Sequence, residues 1–455
     1  MLVFQKERFK EIIKVAFPYM VSTFFDATSF TIMVFIVSFF LPSGKELAAL
    51  GSSIYIVWVL WGFSTAFSSG ITSLTSRFLG DKNIHNIIHL FSTSLKFSFI
   101  WYLMVLIFFN HLFVDVVFNF LNLEPQVVKT AKEVVVYYSF IIIFSILASI
   151  IFSLLQGILK TKEIMYITVA AVFLEILTVF IGIKYYQISL SLLINLAWLN
   201  GELVRILWGY YFLRKNSITV DFKISQKLGK KTSDDIKRFL ESIYIGFPVK
   251  IGLLVFGSVY YFIISAISNI GQKENIAEKA VAALTISQRF EVFIWMLDAG
   301  LTISTATLIG KTLGYETANI NKQQKIKQIT NIITSSILLG TLLFIPIFLL
   351  FVFFNKQILS LFIKDNIIIE IGKNYLYYTG LMGLSMVYNA IFSGFFIAIG
   401  KTIPLTIYMV IFSLLRIPLC HWAVNFDQIW IIINLTNIFM MIFLGLTFIF
   451  YIRKI

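Results

Sequence analysis

The residues that invite chemistry here are charges set inside long apolar tracts: Asp26, Glu175, Glu202, Arg205, Lys250, Glu291, Asp298 and Arg416. At a bilayer centre such a group costs roughly 2.5–3.5 kcal/mol on insertion scales, so it faces protein or a cavity and marks an ion or substrate pathway. Asp26 and Glu175 lie about 22 Å and about 18 Å from the starts of their helices at ~1.5 Å rise per residue, which lets them share one depth. Two carboxyls in one poorly solvated place compete for protons. A carboxyl tuned near neutrality takes a proton up on one side of a membrane and releases it on the other. Asp26 and Glu175 are therefore the candidate cation-coupling residues. The plain alternative is that each locks helices together by hydrogen bonding.

The other intramembrane charges read first as structural pairs, with a substrate cavity as the functional alternative. Glu202 and Arg205 stand at i, i+3 and can pair within one helix. Lys250 and Asp298 fall at similar depth and can form a buried ion pair. Glu291 and Asp298 share a helix face at i, i+7. Arg416 reads as structural.

Other chemistries fall away. The single cysteine, Cys420, excludes internal disulfides and cysteine-zinc sites. His85 and His89 stand at i, i+4, but two polar residues at a solvated helix start explain them, and no metal site is expected. Gly310–Thr312 and Gly400–Thr402 both read GKT, yet a phosphate-binding loop needs glycine where Thr305 and Phe395 stand. No acid/base constellation appears on the loops, so neither an enzyme nor a cofactor is expected.

These charges need elements to position them. Of 455 residues, 58% are hydrophobic and 13% charged, too little polar surface for a soluble protein. A stretch of about 20 apolar residues crosses the hydrocarbon layer. The tracts predict an all-α polytopic membrane protein with twelve transmembrane helices at 11–41, 47–78, 87–113, 127–159, 163–186, 189–213, 239–268, 279–313, 323–354, 367–399, 402–424 and 428–452. The first is expected to be retained, since no cleavage site follows it. Segment 214–238 reads as a basic linker between an N-terminal six-helix lobe, 1–213, and a C-terminal one, 239–455.

With the N-terminus inside, 23 of the 37 Lys and Arg fall on inward segments and 9 on outward ones. That bias places both termini in the cytoplasm. The net charge of +14 then reflects this rule and anionic headgroups rather than nucleic acid. Membrane lipids are partners, with Tyr and Trp near span ends as interfacial belts.

The two halves repeat. At one fixed offset Ala48, Ala49, Leu50, Ser53, Leu79 and Gly80 meet Ala282, Ala283, Leu284, Ser287, Leu313 and Gly314, and Arg77 meets Lys311. AFPYM (16–20) matches GFPVK (246–250), and Lys160-Thr161 matches Lys401-Thr402. Each half has six spans, so the repeats are parallel and pseudo-symmetric, the plan of secondary transporters with a central cavity.

The Phe-Pro openings at Pro18 and Pro248, the Leu/Val-Ala-Ala starts of the second and eighth spans and their basic, glycine-ended termini come in a specific order. With Gly157–Lys162 and Leu415–Leu419, that order resembles the multidrug and toxic compound extrusion (MATE) family over nearly the whole chain. The resemblance implies a V-shaped pair of six-helix bundles. It implies alternating access and efflux of lipophilic or cationic small molecules by antiport with protons or sodium ions, in the plasma (inner) membrane. A monomer is expected. The chain departs from the family pattern at its ion sites. Met33 stands where members commonly carry an aspartate. Glu175 and Val179 stand where one branch has an Asn-x-x-x-Asp pair, and Phe256 and Tyr388 where another has acids. A lipid-linked or polysaccharide flippase of the same superfamily is the alternative, with Arg205, Lys250 and Arg289 as basic cavity residues.

Overall fold

The computed structural model describes residues 2–40, 44–112, 125–186, 188–227, 229, 232–314 and 322–454. The predicted span limits at 41 and 113, and Lys230 and Lys231 of the linker, lie outside them. Among the described residues the regular elements are helices, which satisfy their own backbone donors and acceptors as a hydrocarbon environment demands.

Among the described residues eleven helices are long and apolar enough to cross a membrane, twelve if a bent pair is taken as one span. In chain order the α-helices begin with α1 (Leu2–Phe40), α2 (Gly44–Ser64), α3 (Ser68–Gly80), α4 (Ile84–Leu112) and α5 (Pro125–Gly157). Then come α6 (Thr161–Ile181), α7 (Leu190–Lys215), the short α8 (Ile224–Lys227), α9 (Thr232–Lys273), α10 (Ala277–Phe290) and α11 (Val292–Gly314). The chain closes with α12 (Lys322–Phe353), α13 (Asn355–Ser360), α14 (Asn366–Met382), α15 (Leu384–Ala398), α16 (Ile403–Trp422) and α17 (Phe426–Ile452).

Three spans expected to be continuous are broken. The second splits between α2 and α3, where the Ser64 and Thr65 hydroxyls both bond the Trp61 carbonyl and compete with the helical ladder. The eighth breaks at Glu291, whose backbone N–H tightens to the Gln288 carbonyl. The tenth bends by 50° between α14 and α15, at Gly383.

The chain divides into two compact units. One is Val21–Phe247; the other is Met1–Met20 with Pro248–Ile455. The divisions fall beside Pro18 and at Pro248, each inside a long helix, and not within the basic segment 214–238. Each half therefore lends the opening of its first helix to the unit built mainly by the other half. The reason is close packing at small residues. Within the Val21–Phe247 unit a side chain at Gly246 would overlap the Ala66 carbonyl. Within the other unit a side chain at Gly300 would press on the Ala16 carbonyl and Met20. Ala16 matches Gly246 in the repeat, and Ala66 matches Gly300 at the fixed offset. The same contact is thus made once in each unit, with glycine and alanine exchanged.

The linker is shorter than the sequence implies, because α9 starts at Thr232 and runs for 42 residues. This corrects the reading of His89 as part of a solvated helix start. His89 is fully buried, and its Nε2 lies 2.6 Å from Asp235 Oδ1, while Lys96 Nζ donates to Asp235 Oδ2 at 2.9 Å. The first turn of α9 lies against α4 and removes that face of α4 from solvent.

Candidate functional site

Within the Val21–Phe247 unit, three helices meet at one guanidinium and a fourth joins through Glu202. Arg205 on α7 donates from Nη1 to Glu175 Oε1 of α6 at 2.8 Å, and from Nη2 to Asp26 Oδ1 of α1 at 3.0 Å. Glu202, one turn earlier on α7, keeps Oε2 at 3.9 Å from Arg205 Nη1, beyond hydrogen-bond reach. Its Oε1 instead accepts from Ser145 Oγ of α5 at 2.8 Å. Asp26 and Glu175 therefore do share a site, joined by Arg205. The i, i+3 pairing of Glu202 with Arg205 is the weaker contact, because the fork of Arg205 reaches across to other helices.

Neutral groups shape the cluster. Ser29 Oγ, on α1, donates to Glu175 Oε2 at 2.8 Å, so both oxygens of that carboxylate are bonded. Gly201 makes the room: a side chain there would overlap Glu175 Oε1. Asn200 Nδ2 reaches Thr178 Oγ1 at 3.1 Å and ties α7 to α6 beside the site. Tyr138 stands 3.5 Å from Ser145 Oγ and sets its ring edge-on to Trp198 at 5.2 Å. Glu175 is nearly sealed, Arg205 and Glu202 each expose 13% of their side chains, and Asp26 exposes 46%. Asp26 is the open end of the cluster.

Ser29, Ser145 and Gly201 escape sequence reasoning. Ser29 lies one turn beyond Asp26, and Gly201 interrupts a helix next to Glu202, two weak signals that only their neighbours make meaningful.

The positions where the family resemblance expects aspartates are apolar core. Met33 and Val179 belong to one buried cluster with Val37, Leu50, Val134 and Ile194. Asp26 precedes Met33 by two turns and Glu175 precedes Val179 by one. Both carboxyls thus lie nearer the starts of their helices than the apolar residues that replace the expected aspartates.

The other unit places its charges differently. Glu291, at the break of the eighth span, is buried and accepts a hydrogen bond from the Tyr375 hydroxyl, whose ring stands edge-on to Trp430. The Glu291 carbonyl still accepts from the Ile294 and Trp295 backbone N–H groups, so α11 starts directly from this residue. Lys250 lies on α9 and Asp298 on α11 of this same unit. Buried Arg416 donates to Thr436 Oγ1 and Asn437 Oδ1, both at 2.7 Å, and lies over the Phe256 ring at 5.0 Å. Tyr388, at the second aromatic replacement, shares a hydrogen bond with Thr341 Oγ1 at 2.9 Å. Arg289 is exposed on α10.

Comparison with known proteins agrees with this architecture. The MatE family profile matches residues 18–181 and 254–422. Among solved structures, a MATE protein in complex with MaL6 superposes with TM-score 0.85 at 17% identity, covering 98% of each chain. An outward-facing multidrug resistance MATE family transporter of the MOP superfamily gives TM-score 0.83 at 17% identity, over 98% of this chain and 96% of that one. A MOP superfamily transporter from Pyrococcus furiosus Vc1, described by a reversed polarity of its binding pocket that suggests a different function, gives 0.81 at 16% identity, over 98% and 96%. At these identities the likeness concerns the fold. No curated protein matches the sequence. The profile covers well over half of the chain, and the protein therefore belongs to the MatE family and is a multi-pass membrane transporter.

Proposed function

We propose that the protein is a proton-coupled antiporter that exports lipophilic or cationic small molecules, with the carboxyls around Arg205 as its coupling site. It acts as a monomer in the plasma (inner) membrane, both termini cytoplasmic. The observation that carries this reading is the bridge from Asp26 to Glu175 through one guanidinium. Three carboxyls, counting Glu202, gather around a single arginine. Ionised together, they leave two negative charges uncompensated in a poorly solvated place. Such a site takes up positive charge.

Arg205 also favours the proton over sodium. A sodium ion needs several oxygens turned toward one point, and here the guanidinium already occupies that point. Protons add to the carboxyls without displacing it. The flippase alternative relies on basic cavity residues. Arg205 is engaged by two carboxylates, so its surroundings are acidic on balance.

The test is uptake of tetraphenylphosphonium into proteoliposomes with proton and sodium gradients imposed separately. The proposal expects uptake against its gradient when the proton gradient is present and none from sodium alone. Uptake driven by sodium alone contradicts proton coupling; binding of lipid-linked sugars with indifference to the cation supports the flippase.

A further inference from the structure

We infer that Glu202 is the residue that carries the exchanged proton, while Arg205 serves as the standing counterion of Glu175 and Asp26. This rests on the antiport reading for its role in transport, though the protonation of Glu202 stands on the geometry alone.

The three carboxyls are not equivalent. Glu175 has a donor on each oxygen, Arg205 on Oε1 and Ser29 on Oε2. Asp26 has the second arm of Arg205 and opens to its surroundings. Glu202 has one neutral donor, Ser145, on Oε1, and its Oε2 is buried without a hydrogen-bond partner. An ionised carboxylate spreads its charge over both oxygens, and a buried charged oxygen without a donor is far costlier than a neutral hydroxyl in the same place. A neutral acid resolves the mismatch: Oε1 is the carbonyl oxygen that accepts from Ser145, and Oε2 bears the proton.

The groups that face Glu202 support this from every side. Arg205 on its own helix is turned away toward α6 and α1. Glu175 on α6 and Asp26 on α1 add negative charge. Tyr138 and Ser145 on α5 are neutral. One guanidinium cannot neutralise three carboxylates, and the one it does not bond is the one that stays protonated.

Release follows from the same geometry. The Oε2–H bond breaks, the proton passes to water, and the electron pair leaves a carboxylate on Glu202. Arg205 Nη1, 3.9 Å away, then closes onto Oε2 and loosens its hold on Glu175. Deprotonation thereby moves a cross-helix contact between α7 and α6, which couples a proton to a change in packing.

The test is infrared difference spectroscopy of the purified full-length protein in lipid at neutral pH, E202Q against wild type. The expected result is loss of a protonated carboxylic-acid carbonyl band. Loss of carboxylate bands instead overturns the inference. Ser145→Ala is the second variant: it removes the donor to Oε1, so the acid carbonyl shifts to higher frequency, whereas an unchanged carbonyl region overturns the inference even if E202Q fails to fold. Neither spectrum needs transport, so failure of tetraphenylphosphonium uptake in wild type sinks the antiport reading separately. In proteoliposomes that do transport, E202Q should abolish proton release on tetraphenylphosphonium binding and Glu202→Asp should restore it. Release that persists in E202Q assigns the proton elsewhere.

Discussion

Met33 and Val179 lie buried in one apolar cluster, and the carboxyls nearest them in sequence, Asp26 and Glu175, meet instead through Arg205 at the earlier turns of the same two helices. Asp26 lies two turns before Met33 on α1, and Glu175 lies one turn before Val179 on α6. The first span and the fifth are thus bridged by charge closer to the helix starts than Met33 and Val179. The bridging arginine comes from α7.

That bridge gives a direct expectation for Glu175. Glu175→Gln keeps the shape and the Ser29 contact but removes a charge, so Arg205 turns to Glu202. Proton-driven tetraphenylphosphonium uptake should fall to background while the variant remains monodisperse on gel filtration. Uptake within twofold of wild type contradicts the assignment.

Arg205 is the keystone of the cluster. Arg205→Met leaves three carboxyls without their counterion, and removing one partner of a buried pair costs roughly 3–5 kcal/mol. The expected outcome is a clear drop in Tm in detergent that is partly relieved at acid pH, where protonation removes the repulsion. A Tm equal to wild type at neutral pH contradicts a central electrostatic role.

Gly201 is a test of packing alone. Gly201→Ala adds a methyl that overlaps Glu175 Oε1, with no change of charge. Overpacking of this kind costs typically about 1–3 kcal/mol. The variant should reproduce the coupling loss of Glu175→Gln. Normal coupling in Gly201→Ala shows that Glu175 can work from another rotamer.

How much of this was legible in the sequence differs by kind of feature. The twelve spans and the repeat are written in hydropathy and in matched pairs such as Ala66 and Gly300. Asp26 and Glu175 stand out because charges in apolar tracts are conspicuous. The breaks at Thr65, Glu291 and Gly383 are not, because local hydroxyl or turn bonding decides them. Arg205 and Glu202 show a plausible i, i+3 pair, yet cross-helix geometry gives Arg205 to Glu175. His89 reads as solvated until α9 covers it, a tertiary fact with no local signature.

Outside the membrane, Asp365 caps α14 by accepting from the Ile367 and Ile368 backbone N–H groups and pairs with Lys279 Nζ of α10 at 2.8 Å. The Lys279 ammonium, helped by the Ile367 N–H, holds this carboxyl below the usual aspartate range. A lowered folded-state value means that the contribution is complete above the unfolded pKa and is lost as pH falls through the folded one. Hydrogen exchange at the start of α14 should therefore quicken on acidification through that window, and Asp365→Asn should remove the pH dependence. Equal pH dependence in the variant contradicts this role of the cap.

The central claim is that the carboxyls around Arg205 exchange protons for substrate. The most direct measurement is proton counterflow during tetraphenylphosphonium transport, read with a lumenal pH dye in proteoliposomes of wild type and Glu175→Gln. The account predicts stoichiometric proton movement opposite to the cation in wild type and none in the variant. Cation transport with no proton movement in wild type, or undiminished proton movement in Glu175→Gln, contradicts it.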